Sequence, residues 1–107
     1  MTIGQCVALF FGGMFLMNAI PHLVAGVLGR AFQTPFATPR GEGLSSSTVN
    51  VLWGFFNGVV AWLLLVRVEG FDLRAPDHAV AAGLGALALA LLTARRFGRF
   101  NGGNAPA

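Results

Sequence analysis

The chain has 107 residues, of which seven are Lys or Arg and four are Asp or Glu, so 10 % are charged, while 55 % are hydrophobic before its 15 glycines are counted. Ordinary soluble domains carry roughly 25 % charged residues, which excludes a water-soluble monomer, and the composition equally excludes disorder, a collagen-like repeat and a disulfide scaffold. A net charge of +3 is too small to call for nucleic acid or another polyanion as partner.

The charges fall in three clusters: Arg30, Arg40 and Glu42; Arg67, Glu69, Asp72, Arg74 and Asp77; and Arg95, Arg96 and Arg99. Residues 1–29, 43–66 and 78–94 are left uncharged. A bilayer core near 30 Å requires about 20 apolar residues of helix at 1.5 Å rise per residue. The pattern predicts an all-α integral membrane protein, a single domain with three transmembrane helices over residues 3–28, 48–66 and 77–96. A loop at 29–47, a second loop at 67–76 and a basic tail at 97–107 complete it.

The first helix lacks a basic n-region and is too long for a signal h-region, so it reads as a retained span. Cys6 is the single cysteine, which forbids an internal disulfide and leaves it as a small apolar filler. Asn18 and His22 lie one turn apart with Pro21 between them. Proline cannot donate to the carbonyl of Met17, which predicts a kink at Pro21; the other reading ends the helix near Ile20 and leaves His22 at the headgroups. A face of Ala8, Gly12, Phe15, Asn18, His22, Ala25 and Gly29 is suited to close packing.

In the first loop Pro35, Pro39, Gly41 and Gly43 argue against helix. Phe32, Phe36 and Leu44 are placed to dip into the headgroup region while Arg40 and its neighbours meet lipid phosphates. Ser45, Ser46, Ser47 and Thr48 are start signals for the second helix, on which Asn50, Gly54, Asn57, Gly58 and Ala61 share one side, with Gly54 and Gly58 forming a GxxxG pair. Pro76 and Asp77 mark the start of the third. Its Ala79, Gly83, Ala86 and Ala90 make a smooth face, and Leu84, Leu87, Leu91 and Leu92 are left for lipid or neighbours. Arg95 snorkels to the interface at its end.

The first loop and the tail hold five arginines and the second loop two. The positive-inside rule then puts residues 29–47 and the C-terminus in the cytoplasm, with the N-terminus outside.

Polar side chains within spans are candidate functional groups, and here they are Asn18, His22, Asn50 and Asn57. No carboxylate lies within a span, which argues against proton-coupled export. Cys6 and His22 are about 24 Å apart along a continuous helix, too far for a nucleophile and its base. His78 belongs to the opposite membrane face from His22, so a bis-His haem would need two chains. No phosphate loop or metal-ligand spacing occurs. Neither a metal nor a cofactor is expected, and the residues point away from an enzyme. The reading is a small accessory, scaffolding or assembly subunit in the lipid bilayer. It acts as a homo-oligomer or within a larger membrane complex, through packing faces containing Gly12, Ala25, Gly29, Gly54, Gly58, Ala61, Gly83, Ala86 and Ala90. The alternative is an oligomeric channel or carrier for a small solute or ion, lined by Asn and His.

Overall fold

The structure, a computed structural model, describes residues 1–105; Pro106 and Ala107, the end of the expected tail, lie outside the described residues. In chain order it comprises α1 (Ile3–Val27), β1 (Phe32–Gln33), β2 (Leu44–Ser45), α2 (Ser47–Trp62) and α3 (Pro76–Asn101), with a π-helical turn at Leu63–Val68 extending α2. Three helices, Ile3–Val27, Ser47–Val68 and Pro76–Asn101, are long and apolar enough to cross a membrane.

α1 begins with a capping box: the Gln5 N–H donates to Thr2 Oγ1 at 3.1 Å and the Thr2 N–H to Gln5 Oε1 at 2.9 Å. Two of the free N–H groups at the helix start are thereby satisfied. The helix continues through Pro21 to Val27, so His22 lies inside it rather than in a separate interfacial segment. Gly29, expected on a packing face, lies beyond the end at φ +72° with open space where a side chain would be. Its role inside the chain is conformational, since few residues but glycine adopt this left-handed backbone.

The loop at 29–47 is less irregular than its prolines suggest. β1 and β2 pair antiparallel, Phe32 opposite Ser45 and Gln33 opposite Leu44. Thr34 is buried behind them: its hydroxyl pairs with Ser45 Oγ and accepts the Phe36 N–H, and its carbonyl accepts the N–H groups of Ala37 and Gly41. Two-residue strands are too short for hydrophobic alternation to reveal.

α2 starts at the Ser46 cap, whose Oγ accepts the Val49 N–H at 3.2 Å. α3 starts at Pro76, and Asp77 Oδ1 accepts the His78 N–H at 3.0 Å. It ends five residues later than the charge pattern suggests, because arginine is a good helix former and the terminator is Gly102, at φ 84°. Asn104 folds back there, its amide donating to the Arg95 carbonyl at 2.8 Å. Much of the expected tail is therefore helix.

α1 is the central helix. It packs along both α2 and α3, which barely touch each other. The bundle measures 39 × 31 × 22 Å, and the thin dimension reflects three helices arranged side by side more than clustered. Against α2, Gly54 lies so close to α1 that a Cβ would come 2.9 Å from the Leu23 nitrogen and 3.1 Å from the Ala19 oxygen. Against α3 the contact is tighter still: a Cβ at Gly13 would overlap the Ala82 carbonyl, and one at Gly85 the Phe10 carbonyl.

Candidate functional site

The sequence places Asn50, Gly54, Asn57 and Ala61 on one face of α2, and these are the buried residues of that helix. Gly58, the second glycine of the GxxxG pair, is beside this face with nothing near the position of its absent side chain. The seam follows the spacing 50, 54, 57, 61, alternating steps of four and three, so Gly58 turns out of it. Instead it borders a shallow cavity of about 360 Å³ between Leu23, Phe55, Val59 and Trp62.

Two cross-helix hydrogen bonds tie α1 to α2. Asn18 Nδ2 donates to Asn57 Oδ1 at 2.9 Å, and His22 Nδ1 lies 2.7 Å from Asn50 Oδ1. The helices are antiparallel, so residues one turn apart on α1 meet residues two turns apart on α2. Gly54 sits between the two bonds, and its missing Cβ allows the approach that brings such short side chains into contact.

Asn50 does more than meet His22. Its Nδ2 lies 3.2 Å from the Phe32 carbonyl, 3.1 Å from that of Ser45 and 3.0 Å from that of Ser46. A nitrogen facing three acceptors fixes the amide orientation. Oδ1 therefore faces the imidazole, and His22 donates to it from Nδ1–H. One fully buried side chain thus joins α1, α2 and both strands of the hairpin. Around His22 the rings of Phe32, Trp53 and Phe97 stand edge-on at 5.6, 6.3 and 6.4 Å.

Asn57 is likewise fully buried, and its Nδ2 donates to the Trp53 carbonyl at 2.8 Å. Asn18 differs. It is half-buried and borders a cavity of about 270 Å³ between α2 and α3, together with Phe11, Met14 and Phe15 of α1, Asn57 of α2 and Leu89 of α3. Among the described residues its carbonyl oxygen accepts no hydrogen bond, and no buried polar side-chain atom is left without a partner. That oxygen is therefore open to the surface, and the groove exists because α2 and α3 do not close over α1.

The remaining sequence-derived positions divide. Gly12 sits under Leu65 at the π-helical turn, and Ala25 and Ala61 are buried. Gly83 faces open space, and Ala86 and Ala90 are half-buried. The contact glycine of α3 is Gly85, and those of α1 include Gly13 and Gly26 beside Gly12. None of these three stands out by spacing alone, because either neighbour in Gly12–Gly13 or Gly83–Gly85 fits a seam until the rotation of the helix is known. In the loop, Phe36 and Leu44 are exposed and Arg40 points outward. Phe32 turns inward against Phe97, with ring centroids 4.8 Å apart.

Chemically the seam contains three amides and one imidazole, with no carboxylate or fixed cation. Among the described residues no three His, Cys, Asp or Glu come together as a metal site. His78 lies in the first turn of α3, at the opposite end, its Nδ1 accepting the N–H of Asp72 in the preceding loop at 3.1 Å. It is about 28 Å along that helix from Phe97, the neighbour of His22, so the two imidazoles cannot share a ligand within one chain. No protein-family model, curated protein or solved structure matches the chain.

Proposed function

We propose that this chain is an integral membrane protein and serves as a small accessory or assembly subunit, receiving a helix of a second copy or of a larger membrane complex in the groove between α2 and α3. Membrane insertion is supported by three helices of spanning length and by α3, whose apolar window is only 6 % buried. Val80, Leu84, Leu87, Leu91 and Leu92 are exposed on it, and in water such a surface would drive aggregation. We place a bend of α1 at Pro21, where the Met17 carbonyl loses its helical donor. We place the N-terminus outside, since Arg30, Arg40, Arg95, Arg96 and Arg99 gather at the opposite end.

The observation that carries the assembly reading is the open carbonyl of Asn18. It lies about 4.5 Å along the axis from the midpoint of α1, which is within the hydrocarbon if the helix spans. A polar atom there has no water to bond, whereas a donor from a docked helix would satisfy it and Phe11, Phe15 and Leu89 would pack around that helix. Gly58 and Gly83 leave further open notches for close helix approach. The alternative of a polar path lined by the same side chains draws less support, because Asn50 and Asn57 are fully shielded and their amides are engaged in internal hydrogen bonds.

The test is the assembly state in mild detergent, wild type against Asn18→Leu. A defined oligomer or stoichiometric complex that is lost in the variant supports the proposal, and a wild-type chain that is monomeric and alone refutes it.

A further inference from the structure

At the arginine-rich end of the bundle a further cavity, of about 510 Å³, opens between the end of α1, the hairpin and the end of α3. One wall carries Arg30 and another Asn101, and Val24, Leu28 and Phe32 supply the apolar sides. Arg30 is exposed. Asn101 is oriented by its own bonds: Nδ2 donates to the Phe97 carbonyl at 3.0 Å and lies 3.4 Å from Gln33 Oε1. Its donors are thus directed into the protein, and Oδ1 remains as an acceptor.

The cavity therefore combines a fixed cation, a hydrogen-bond acceptor and an apolar wall along a helix flank. Its electrostatic setting is positive: among the described residues Arg30, Arg40, Arg95, Arg96 and Arg99 share this end with one side-chain carboxylate, Glu42. The C-terminal ends of α1 and α3 each contribute roughly half a negative charge, which leaves the end net positive. The segments that carry these arginines are held together, since Arg96 Nη2 reaches the Arg40 carbonyl at 3.4 Å and Phe32 packs on Phe97.

We infer that this cavity binds an anionic phospholipid with a hydroxyl-bearing headgroup, of the phosphatidylglycerol type. The phosphate pairs with the Arg30 guanidinium, a headgroup hydroxyl donates to Asn101 Oδ1, and an acyl chain lies on Val24, Leu28 and Phe32. Arginine suits the first role because its planar fork matches two phosphate oxygens. The inference rests on the proposal that the bundle lies in a bilayer.

The experiment is native mass spectrometry of the full chain released from micelles doped in turn with phosphatidylglycerol, phosphatidic acid and phosphatidylcholine, or with inorganic phosphate alone. Phosphatidylglycerol is expected to be retained over phosphatidylcholine by about fivefold or more, the scale of one arginine at an anionic surface. Arg30→Gln should abolish that preference without altering the far-ultraviolet circular dichroism, and Asn101→Leu should remove the advantage over phosphatidic acid. Equal retention of phosphatidylglycerol and phosphatidylcholine, or a preference untouched by Arg30→Gln, overturns the site. Wild-type indifference between phosphatidylglycerol and phosphatidic acid overturns the hydroxyl assignment, and competition by inorganic phosphate shows a free-anion site instead of a lipid one. Alkaline carbonate extraction separates the two levels: a chain washed off native membranes fails the membrane proposal itself, whereas a chain that stays but shows no headgroup preference fails only this site.

Discussion

Gly13 of α1 and Gly85 of α3 are the two halves of one crossing, each resting on the other helix's backbone, Gly13 against the Ala82 carbonyl and Gly85 against that of Phe10. Approach at this distance brings the two backbones into direct contact and lets dispersion hold α3 in place, which is the main packing force open to helices in the bilayer proposed above. A methyl group at either position has only backbone to displace.

Gly13→Ala and Gly85→Ala should therefore each destabilise the bundle by about 1–3 kcal/mol, the range for forcing atoms into a packed site. Gly83→Ala, two residues away and facing open space, should be neutral or slightly stabilising, because alanine is the better helix former. Unfolding in mixed micelles, followed by circular dichroism, distinguishes the three variants. Equal effects at residues 83 and 85 would mean that α3 is rotated from the position described.

Asn50 should be the least replaceable residue of the α1–α2 seam. Asn50→Leu removes the bond to His22 and leaves the Phe32 and Ser45 carbonyls without their side-chain donor, at a cost of about 2 kcal/mol given typical penalties for unmet buried groups. Asn50→Asp is the sharper variant, since it keeps the shape but turns an acceptor toward three carbonyl oxygens. It should be at least as damaging, and increased protease sensitivity in the hairpin at residues 32–45 should accompany both changes. Wild-type stability in Asn50→Asp would show that the amide is not oriented toward those carbonyls.

Asn18 and Asn57 share one hydrogen bond but should separate in their effects. Either change to Leu loses that bond, for roughly 0.5–1.5 kcal/mol on the scale of interhelical bonds in membranes. Only Asn18 borders the open groove with a free carbonyl. Asn57→Leu should therefore lower stability while preserving assembly, and Asn18→Leu should lower both, as read by size-exclusion chromatography with light scattering beside a thermal melt.

Orientation can be read from cysteine labelling. Thr2→Cys, made in a Cys6→Ala background, should react with a membrane-impermeant maleimide added to intact cells. Asn104→Cys should react only after lysis. The reverse pattern would invert the proposed topology.

The three long helices were legible because the eleven charged positions leave three long apolar runs between them, and the seam of α2 was legible because three Asn or Gly residues and an Ala recur at helical spacing. The pairing of Asn18 with Asn57 and of His22 with Asn50 was not, because spacing along each helix gives no relative register. Gly58 and Gly83 fit the expected faces equally well, yet the close contacts are at Gly54 and Gly85, where tertiary rotation selects one of two neighbouring candidates. The hairpin escaped detection because its organiser, the amide of Asn50, belongs to another element. Nothing in the apolar run Leu63–Leu65 marks the π-helical turn that begins there.

The most direct measurement is cross-linking through the groove in native membranes. A photoreactive residue in place of Leu89, which lines the groove opposite Asn18, should give one discrete adduct on illumination, to a second copy or to a single membrane partner, and Asn18→Leu should abolish it. Lipid adducts alone, with the wild-type chain monomeric at every concentration tested, would contradict a groove built to receive a helix.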